Sequence, residues 1–404
     1  MKILKNIGPG ALIAAAFIGP GTVSVCALAG LNHGYNLIIV MFVSMFITLF
    51  LQELSARLAI TFQKDLVELI QHYFKQQKFL KYFIYVLIFF AIVFGNAAYE
   101  AGNLSGINIG LQIMEYNAFF ITILGVKINY AIVLISLLAF IILHIKSYIY
   151  IERTLMILVA LLSISFIISA IITTEDAMVV LKGIFTPSIS SDDILMVAAL
   201  IGTTVVPYNL FLHASLAKQK WKNVKNIRKM RIDTFIAISA GILVSVCIII
   251  TTANVSGHVN EILELGKALE PLYGSFAKYL LGFGYSAAGL TSAITAPLAA
   301  AFVINRLFNL NYNLESLAFK RLSYFILFIG CIIAAFDFNP ITVITLAQIS
   351  NAIVLPIIAL IIVWLSNKIK VLNKSVITHH IASFVVIIIS LTLSFSALYK
   401  IILQ

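Results

Sequence analysis

Charge is what this chain has least of. Of its 404 residues only 11% are Asp, Glu, Lys or Arg, while 61% are hydrophobic; a soluble domain carries roughly 25% and 45–50%. With a mean hydropathy of +1.06, polar surface is too scarce to coat a water-soluble core, so lipid has to solvate most of the chain. Cysteine is scarce as well: Cys26, Cys247 and Cys331 sit in apolar runs without metal-ligand spacing and read as buried thiols. No Gly-rich phosphate loop ending in Lys-Ser or Lys-Thr occurs, which argues against ATP-driven pumping within the chain. No paired-His zinc motif occurs either; His379-His380 are adjacent and mark a helix start. An enzyme is therefore not expected, and no cofactor is implied. The net charge of +11 collects between apolar runs, which fits a membrane protein and not a nucleic-acid binder.

What the chain does have is apolar runs of membrane-spanning length, about 20 residues each. Eleven are expected, near 7–31, 36–61, 82–113, 128–145, 153–173, 194–217, 232–253, 276–306, 319–337, 341–366 and 378–402. The first is too long for a signal peptide's apolar region, contains Gly-Pro twice, and leads into further spans. The expected fold is an all-α integral membrane protein forming one transmembrane domain over 1–404.

Lysine and arginine orient it. Lys64, Lys75, Lys78 and Lys81 follow span 2, a run from Lys218 to Arg231 follows span 6, and Arg306, Lys320 and Arg321 follow span 8. The loops after spans 5 and 7 instead carry Glu175, Asp176, Asp192, Asp193, Glu261, Glu264 and Glu270. By the positive-inside rule the amino terminus is expected to be cytoplasmic and the carboxyl terminus outside; the membrane is expected to be a bacterial plasma membrane. The basic 218–231 loop is read as a topology determinant, with an anionic-lipid or partner site as the alternative.

Two spans are interrupted. Span 1 contains Gly8-Pro9-Gly10 and Gly19-Pro20-Gly21-Thr22; span 6 contains Thr203-Thr204-Val205-Val206-Pro207-Tyr208-Asn209. Proline removes a backbone donor and glycine frees the chain, so both helices should unwind there. Freed backbone groups in a bilayer have to line a cavity or be buried in protein. One break heads spans 1–5 and the other spans 6–10, the sequence pattern of inverted repeats around a midplane substrate site. The repeats are placed at about 7–173 and 194–366, with 378–402 as an addition. Backbone carbonyls near Gly19 and Thr203 are expected to be free to face the substrate.

Polar residues inside spans mark paths by their cost. Asn96, Glu100 and Asn103 share one face of span 3, and His213 follows Asn209 by a helical turn. Glu100, His213 and Asn96 are the candidates for a proton or cation path. Glu53 in span 2 faces Arg57 at i+4, an ion pair as readily as a functional acid. Thr345, Gln348 and Asn351 form a polar face on span 10. Gly102, Gly106 and Gly110 form a small-residue stripe suited to close helix packing.

At these motifs the chain resembles the Nramp (natural resistance-associated macrophage protein) family. Gly8-Pro9-Gly10 and Gly19-Pro20-Gly21-Thr22 are similar to its Gly-Pro-Gly and Asp-Pro-Gly-Asn, and Leu51-Gln52-Glu53-Leu54-Ser55-Ala56-Arg57-Leu58 to its Leu-Gln-x-Leu-x-x-Arg-Leu. Thr203 to His213 resembles its Ala-Thr-Val-Met-Pro-His-Asn-Leu-Tyr-Leu-His, and Asp233, Gly289-Leu290-Thr291-Ser292 and Gln348 also fit. The resemblance implies the LeuT-type five-plus-five inverted repeat with broken helices 1 and 6. It also implies a transition-metal site made by the first helix's Asp and Asn, the sixth helix's Met and nearby carbonyls.

This chain departs from that site. Gly19 stands for the Asp, Thr22 for the Asn, Thr203 for the Ala, Val206 for the Met and Tyr208 for the first His; Ala97 stands where span 3 would carry a second acid. Asn209 and His213 are kept. The loss of thioether and carboxylate removes the preference for soft metals. The expected substrate site comprises Gly19, Thr22, Thr203, Val206, Asn209 and Gln348, with Thr22, Thr203 and Asn209 meeting a metal through water. A divalent cation such as hydrated magnesium is the first reading, and a divergent branch of Nramp-related magnesium transporters resembles this pocket. A small zwitterionic solute such as an amino acid on the same fold is the second, and a non-transporting sensor or partner protein the third.

Overall fold

In the computed structural model the described residues are 18–116, 119–123, 125–145, 149–255, 266–310, 312–313, 315–336, 338–368 and 376–403. The Gly8-Pro9-Gly10 motif and the acids Glu261 and Glu264 lie outside them. The helices are α1 (Pro20–His33), α2 (Ile38–Phe62), α3 (Leu66–Tyr73), α4 (Lys78–Ile113), α5 (Tyr130–His144), α6 (Ile149–Thr173), α7 (Ala177–Phe185) and α8 (Ile194–Thr204). They continue as α9 (Pro207–Lys220), α10 (Ile227–Ala253), α11 (Gly266–Tyr273), α12 (Ala277–Leu307), α13 (Leu317–Ala335), α14 (Pro340–Lys368) and α15 (Val376–Leu403). Among the described residues, nine helical stretches are long and apolar enough to cross a bilayer, and α5 is a shorter apolar helix.

The chain is not helical throughout. Between spans 3 and 4, β1 (Phe120–Ile123) and β2 (Val126–Asn129) form an antiparallel hairpin, with Phe120 opposite Asn129 and Ile123 opposite Val126. Gly125 turns it with φ 82°, a conformation that suits a residue without Cβ. The hairpin takes residues 128–129 from the expected span 4, leaving α5 with 15 residues.

Large apolar side chains such as Phe79, Ile171, Phe328 and Ile402 are exposed, as a lipid-facing surface requires. Burial is uneven. In the α8–α9 stretch and in the stretch ending with α12, 78% of the most apolar window is buried, against 33% for α13 and for span 11. The broken sixth span is thus enclosed by the others. Helix α12 runs along α4, and α14 packs on α4, α8 and α1. The glycine stripe of α4 lets α1 and α12 come close: a Cβ at Gly106 would fall on the Pro20 ring, and one at Gly110 on the Gly282 carbonyl.

Candidate substrate site at the two helix breaks

Helix α1 begins at Pro20, with Gly19 as an extended N-cap (φ −97°, ψ 175°) that has no side chain to cap with. Proline suits this first position because its missing N–H would be unpaired in any case. The Gly19 carbonyl already accepts the Val23 amide at 3.1 Å. It is therefore the first acceptor of α1, contrary to the expectation of a free carbonyl there.

The second break is tighter. Helix α8 closes as the Val205 amide donates to Ile201 at 2.8 Å; Val206 is extended (φ −84°, ψ 121°), and Pro207 opens α9. Pro207 has no N–H to give the Thr203 carbonyl. The neighbouring Gly202 carbonyl accepts from Asn351 Nδ2 at 3.3 Å.

The breaks meet. Thr22 Oγ1 and Thr203 Oγ1 are 2.8 Å apart, and both residues are buried. Gln348 wedges against both: a Cβ at Gly21 would fall on its side-chain amide, and one at Gly202 on its backbone carbonyl. Asn351 Nδ2 reaches Gln348 Oε1 at 3.5 Å, whereas Thr345 is only half-buried. Val206 and Asn209 are buried in the second break, and Asn209 Oδ1 has no hydrogen-bond partner among the described residues.

Two groups at the first break were not anticipated. A Cβ built on Gly19 would stand 3.2 Å from Ser292 Oγ and 3.5 Å from the Tyr99 hydroxyl. The Tyr99 ring meets that of Tyr208 edge-on, with centroids 5.7 Å apart. Where the family pattern has a carboxylate, this chain presents two hydroxyls.

Comparison with known proteins agrees with this architecture. The family model described as natural resistance-associated macrophage protein-like matches residues 10–403. The chain belongs to the Nramp family. A divalent metal cation transporter MntH of Nostoc sp. is 28% identical over 394 residues, covering 93% of this chain and 86% of the relative. A natural resistance-associated macrophage protein 2 homolog of Dictyostelium discoideum is 27% identical, covering 75% of this chain and 48% of the relative. Among solved structures, the Eremococcus coleocola manganese transporter has a TM-score of 0.76 at 20% identity, covering 98% of this chain and 86% of that one. Mhp1, a nucleobase-cation-symport-1 family transporter, has a TM-score of 0.56 at 12% identity, covering 98% and 91%. The fold is the LeuT type, and the chain is a membrane transporter by family and not an enzyme.

The polar residues of this Nramp chain away from the breaks divide into separate sites. Glu100 is fully buried; Asn103 Nδ2 lies 3.4 Å from one of its oxygens and the other has no partner among the described residues. Its side chain packs where a Cβ on Gly330 of α13 would stand. Asn96 donates back to the Ile92 carbonyl at 2.8 Å, so the shared face of Asn96 and Glu100 does not form a hydrogen-bonded chain. His213 is buried against α10, with Nε2 3.4 Å from Thr234 Oγ1. Its ring also lies beside the Gln52 backbone, and among the described residues no well-aligned hydrogen bond reaches Nδ1. Glu53 is an ion-pair centre, 2.7 Å from Arg231 as well as paired with Arg57. Among the described residues, no group of three His, Cys, Asp or Glu is placed to hold a metal.

Charge gathers instead at one end of the bundle. Asp65 and Glu68 cap α3 reciprocally. Lys218 at the end of α9 lies 2.7 Å from Glu68 and 3.6 Å from Asp65, and Arg306 at the end of α12 lies 3.6 Å from Asp65 and 3.7 Å from Glu68. Burial lifts the Asp65 carboxyl above its ordinary value despite the Glu68 amide and the two cations. Burial lifts Glu68 too, but the Lys218 hydrogen bond and the Asp65 amide bring it below the usual carboxylate value.

Proposed function

We propose that this chain is a secondary transporter that moves a divalent metal cation by alternating access and holds it as a hydrated, hard ion of the magnesium type. The observation that carries this reading is the Thr22–Thr203 contact of 2.8 Å between the two breaks, within a neighbourhood of hydroxyls and amides. Divalent metal as the substrate class is supported by the names of the Nramp relatives. A bare divalent ion needs charged or numerous direct ligands, whereas magnesium gives up its waters reluctantly and usually keeps several. Thr22, Thr203, Asn209 and Gln348 suit hydrogen bonds to such a water shell. Val206 offers no thioether that would favour a soft metal.

In the proposed cycle, the first and sixth helices with their bundle rock against helices 3, 4, 8 and 9. The repeats at about 7–173 and 194–366 each contribute helices to the moving and to the static part, and 378–402 stands outside them. The lysine and arginine distribution supports a cytoplasmic amino terminus and an outside carboxyl terminus, and the bacterial MntH relatives support a bacterial plasma membrane. Glu100, Asn96 and His213 remain candidates for a proton or cation path, as separate stations and not a continuous chain.

A second reading rests on Tyr99 and Tyr208, whose ring contact beside Gly19 gives the first break an aromatic wall suited to a small organic zwitterion. Flux into proteoliposomes separates the two. Magnesium, manganese, calcium and a panel of amino acids are offered while internal pH is recorded. Divalent uptake without acidification is the expected result. Amino-acid uptake with no metal flux would overturn the metal reading.

A further inference from the structure

Away from the breaks, the ends of α4 and α12 enclose a cavity of about 300 Å³. Helix α4 has 36 residues, roughly 54 Å at 1.5 Å each, against a hydrocarbon core of about 30 Å. Lys78 and Lys81 at its start are unsuited to hydrocarbon, so this end overhangs into the headgroup layer. Exposed Phe79, Tyr82 and Phe83 on the same overhang form an aromatic surface of the kind that sits at that depth.

The cavity has two chemically different parts. Val86, Phe89 and Phe308 supply apolar wall, with the rings of Phe89 and Phe308 edge-on at 5.5 Å. Val86 and Phe308 are each 50% exposed, so this part opens sideways, toward lipid. The polar part holds Lys81, Tyr85 and Asn309. Lys81 Nζ stands 5.3 Å from the Tyr85 ring centroid and 5.9 Å from that of Tyr82, and no carboxylate among the described residues pairs with it. Tyr85 is only 7% exposed. Its hydroxyl lies beside Gln71, whose amide is given to the Arg306 carbonyl, and has no hydrogen-bond partner among the described residues.

We infer that this cavity binds one anionic phospholipid, with its phosphate on Lys81 and the Tyr85 hydroxyl and an acyl chain along Val86, Phe89 and Phe308. An unpaired cation and an unpaired buried donor at headgroup depth ask for an acceptor of negative charge. The laterally open apolar wall asks for a chain attached to it. A soluble phosphate satisfies only the first demand. The site also adjoins the ion-pair cluster, because Asn309 donates to the same Arg306 carbonyl, at 3.2 Å, that accepts from Gln71.

Native mass spectrometry of the full chain, released from detergent after titration with phosphatidylglycerol, phosphatidylcholine or glycerol phosphate, tests this. One phosphatidylglycerol should be retained at concentrations where the other two are not. Lys81→Gln should reduce its retention about fivefold, the effect of one lysine at an anionic surface, whereas Lys75→Gln, on the neighbouring exposed turn, should not. Tyr85→Phe should weaken retention with the protein's melting midpoint in lipid-free detergent unchanged, which separates lost binding from lost folding. Equal retention of the zwitterionic lipid, or equal losses from Lys81→Gln and Lys75→Gln, would overturn the proposal.

Discussion

The two helix breaks and the α3 corner handle polarity in opposite ways. At the breaks the side chains brought together are neutral: Thr22 on Thr203, Gln348 against both, and Tyr99 and Ser292 where Gly19 has no side chain. At the corner, two carboxylates and two cations converge within 3.7 Å, joining α9, which continues the second break, to α12. Neutral groups can meet and release a cargo without leaving an uncompensated buried charge. Ion pairs hold helices together and cost much more to part when buried. On the proposed cycle, the breaks handle cargo and the corner latches the moving helices to the static ones.

The sharpest break in that comparison is Asn209→Ala. Its Oδ1 is buried without a partner among the described residues, so its removal should abolish uptake while leaving the melting midpoint unchanged; unchanged uptake would remove the second break from the site. Gly202→Ala should act on the fold instead. Its new Cβ would fall on the Gln348 carbonyl, and the overpacking should cost about 1–3 kcal/mol, read as a lower melting midpoint. Thr203→Val keeps the shape and deletes one hydroxyl of the Thr22 pair. A loss of about 1–1.5 kcal/mol of hydrogen bonding corresponds to roughly tenfold slower uptake, with the order of preference among cations retained.

The smallest effect is the pH dependence of the corner. Glu68 sits below its ordinary value, so its stabilisation is present above the unfolded value, about 4.3, and is lost as pH falls through the lower folded one. Asp65 sits above its ordinary value, so the folded state takes up its proton first and stability rises as pH falls through that window. Melting in detergent should therefore show Glu68→Gln gaining stability on mild acidification, and Asp65→Asn losing it only at lower pH. Neither variant should change which ion is carried.

Much of this was legible in the sequence because lipid imposes simple rules. The apolar runs correspond to helices over most of their described residues, residues 128–129 going to the hairpin and 205–206 to the break, and Pro207 with its flanking residues located the second break. The hairpin at 120–129 was missed, although Ile121-Thr122-Ile123 and Val126-Lys127-Ile128 alternate around Gly125, because the run is short and lies between long apolar stretches. Helical periodicity correctly put Asn96, Glu100 and Asn103 near one another on span 3. It could not say which neighbour that surface meets. Glu100 packs against α13 at Gly330, and the adjacent Tyr99 reaches Gly19. Which side of a buried helix faces the site is decided by packing with distant segments. The engaged Gly19 carbonyl was missed for a local reason: Pro20 starts a helix whose first acceptor is the residue before it.

The central claim is that the breaks hold a cation through its water shell. The direct measurement is competition of magnesium uptake in proteoliposomes by an exchange-inert cobalt hexaammine complex, which has the size and donors of a hydrated ion but sheds no ligand. The account predicts that the complex inhibits magnesium uptake, and that Asn209→Ala abolishes its binding along with transport. Magnesium uptake insensitive to the complex, yet blocked by manganese, would contradict it and mean that the ion is stripped at the breaks by ligands other than these hydroxyls and amides.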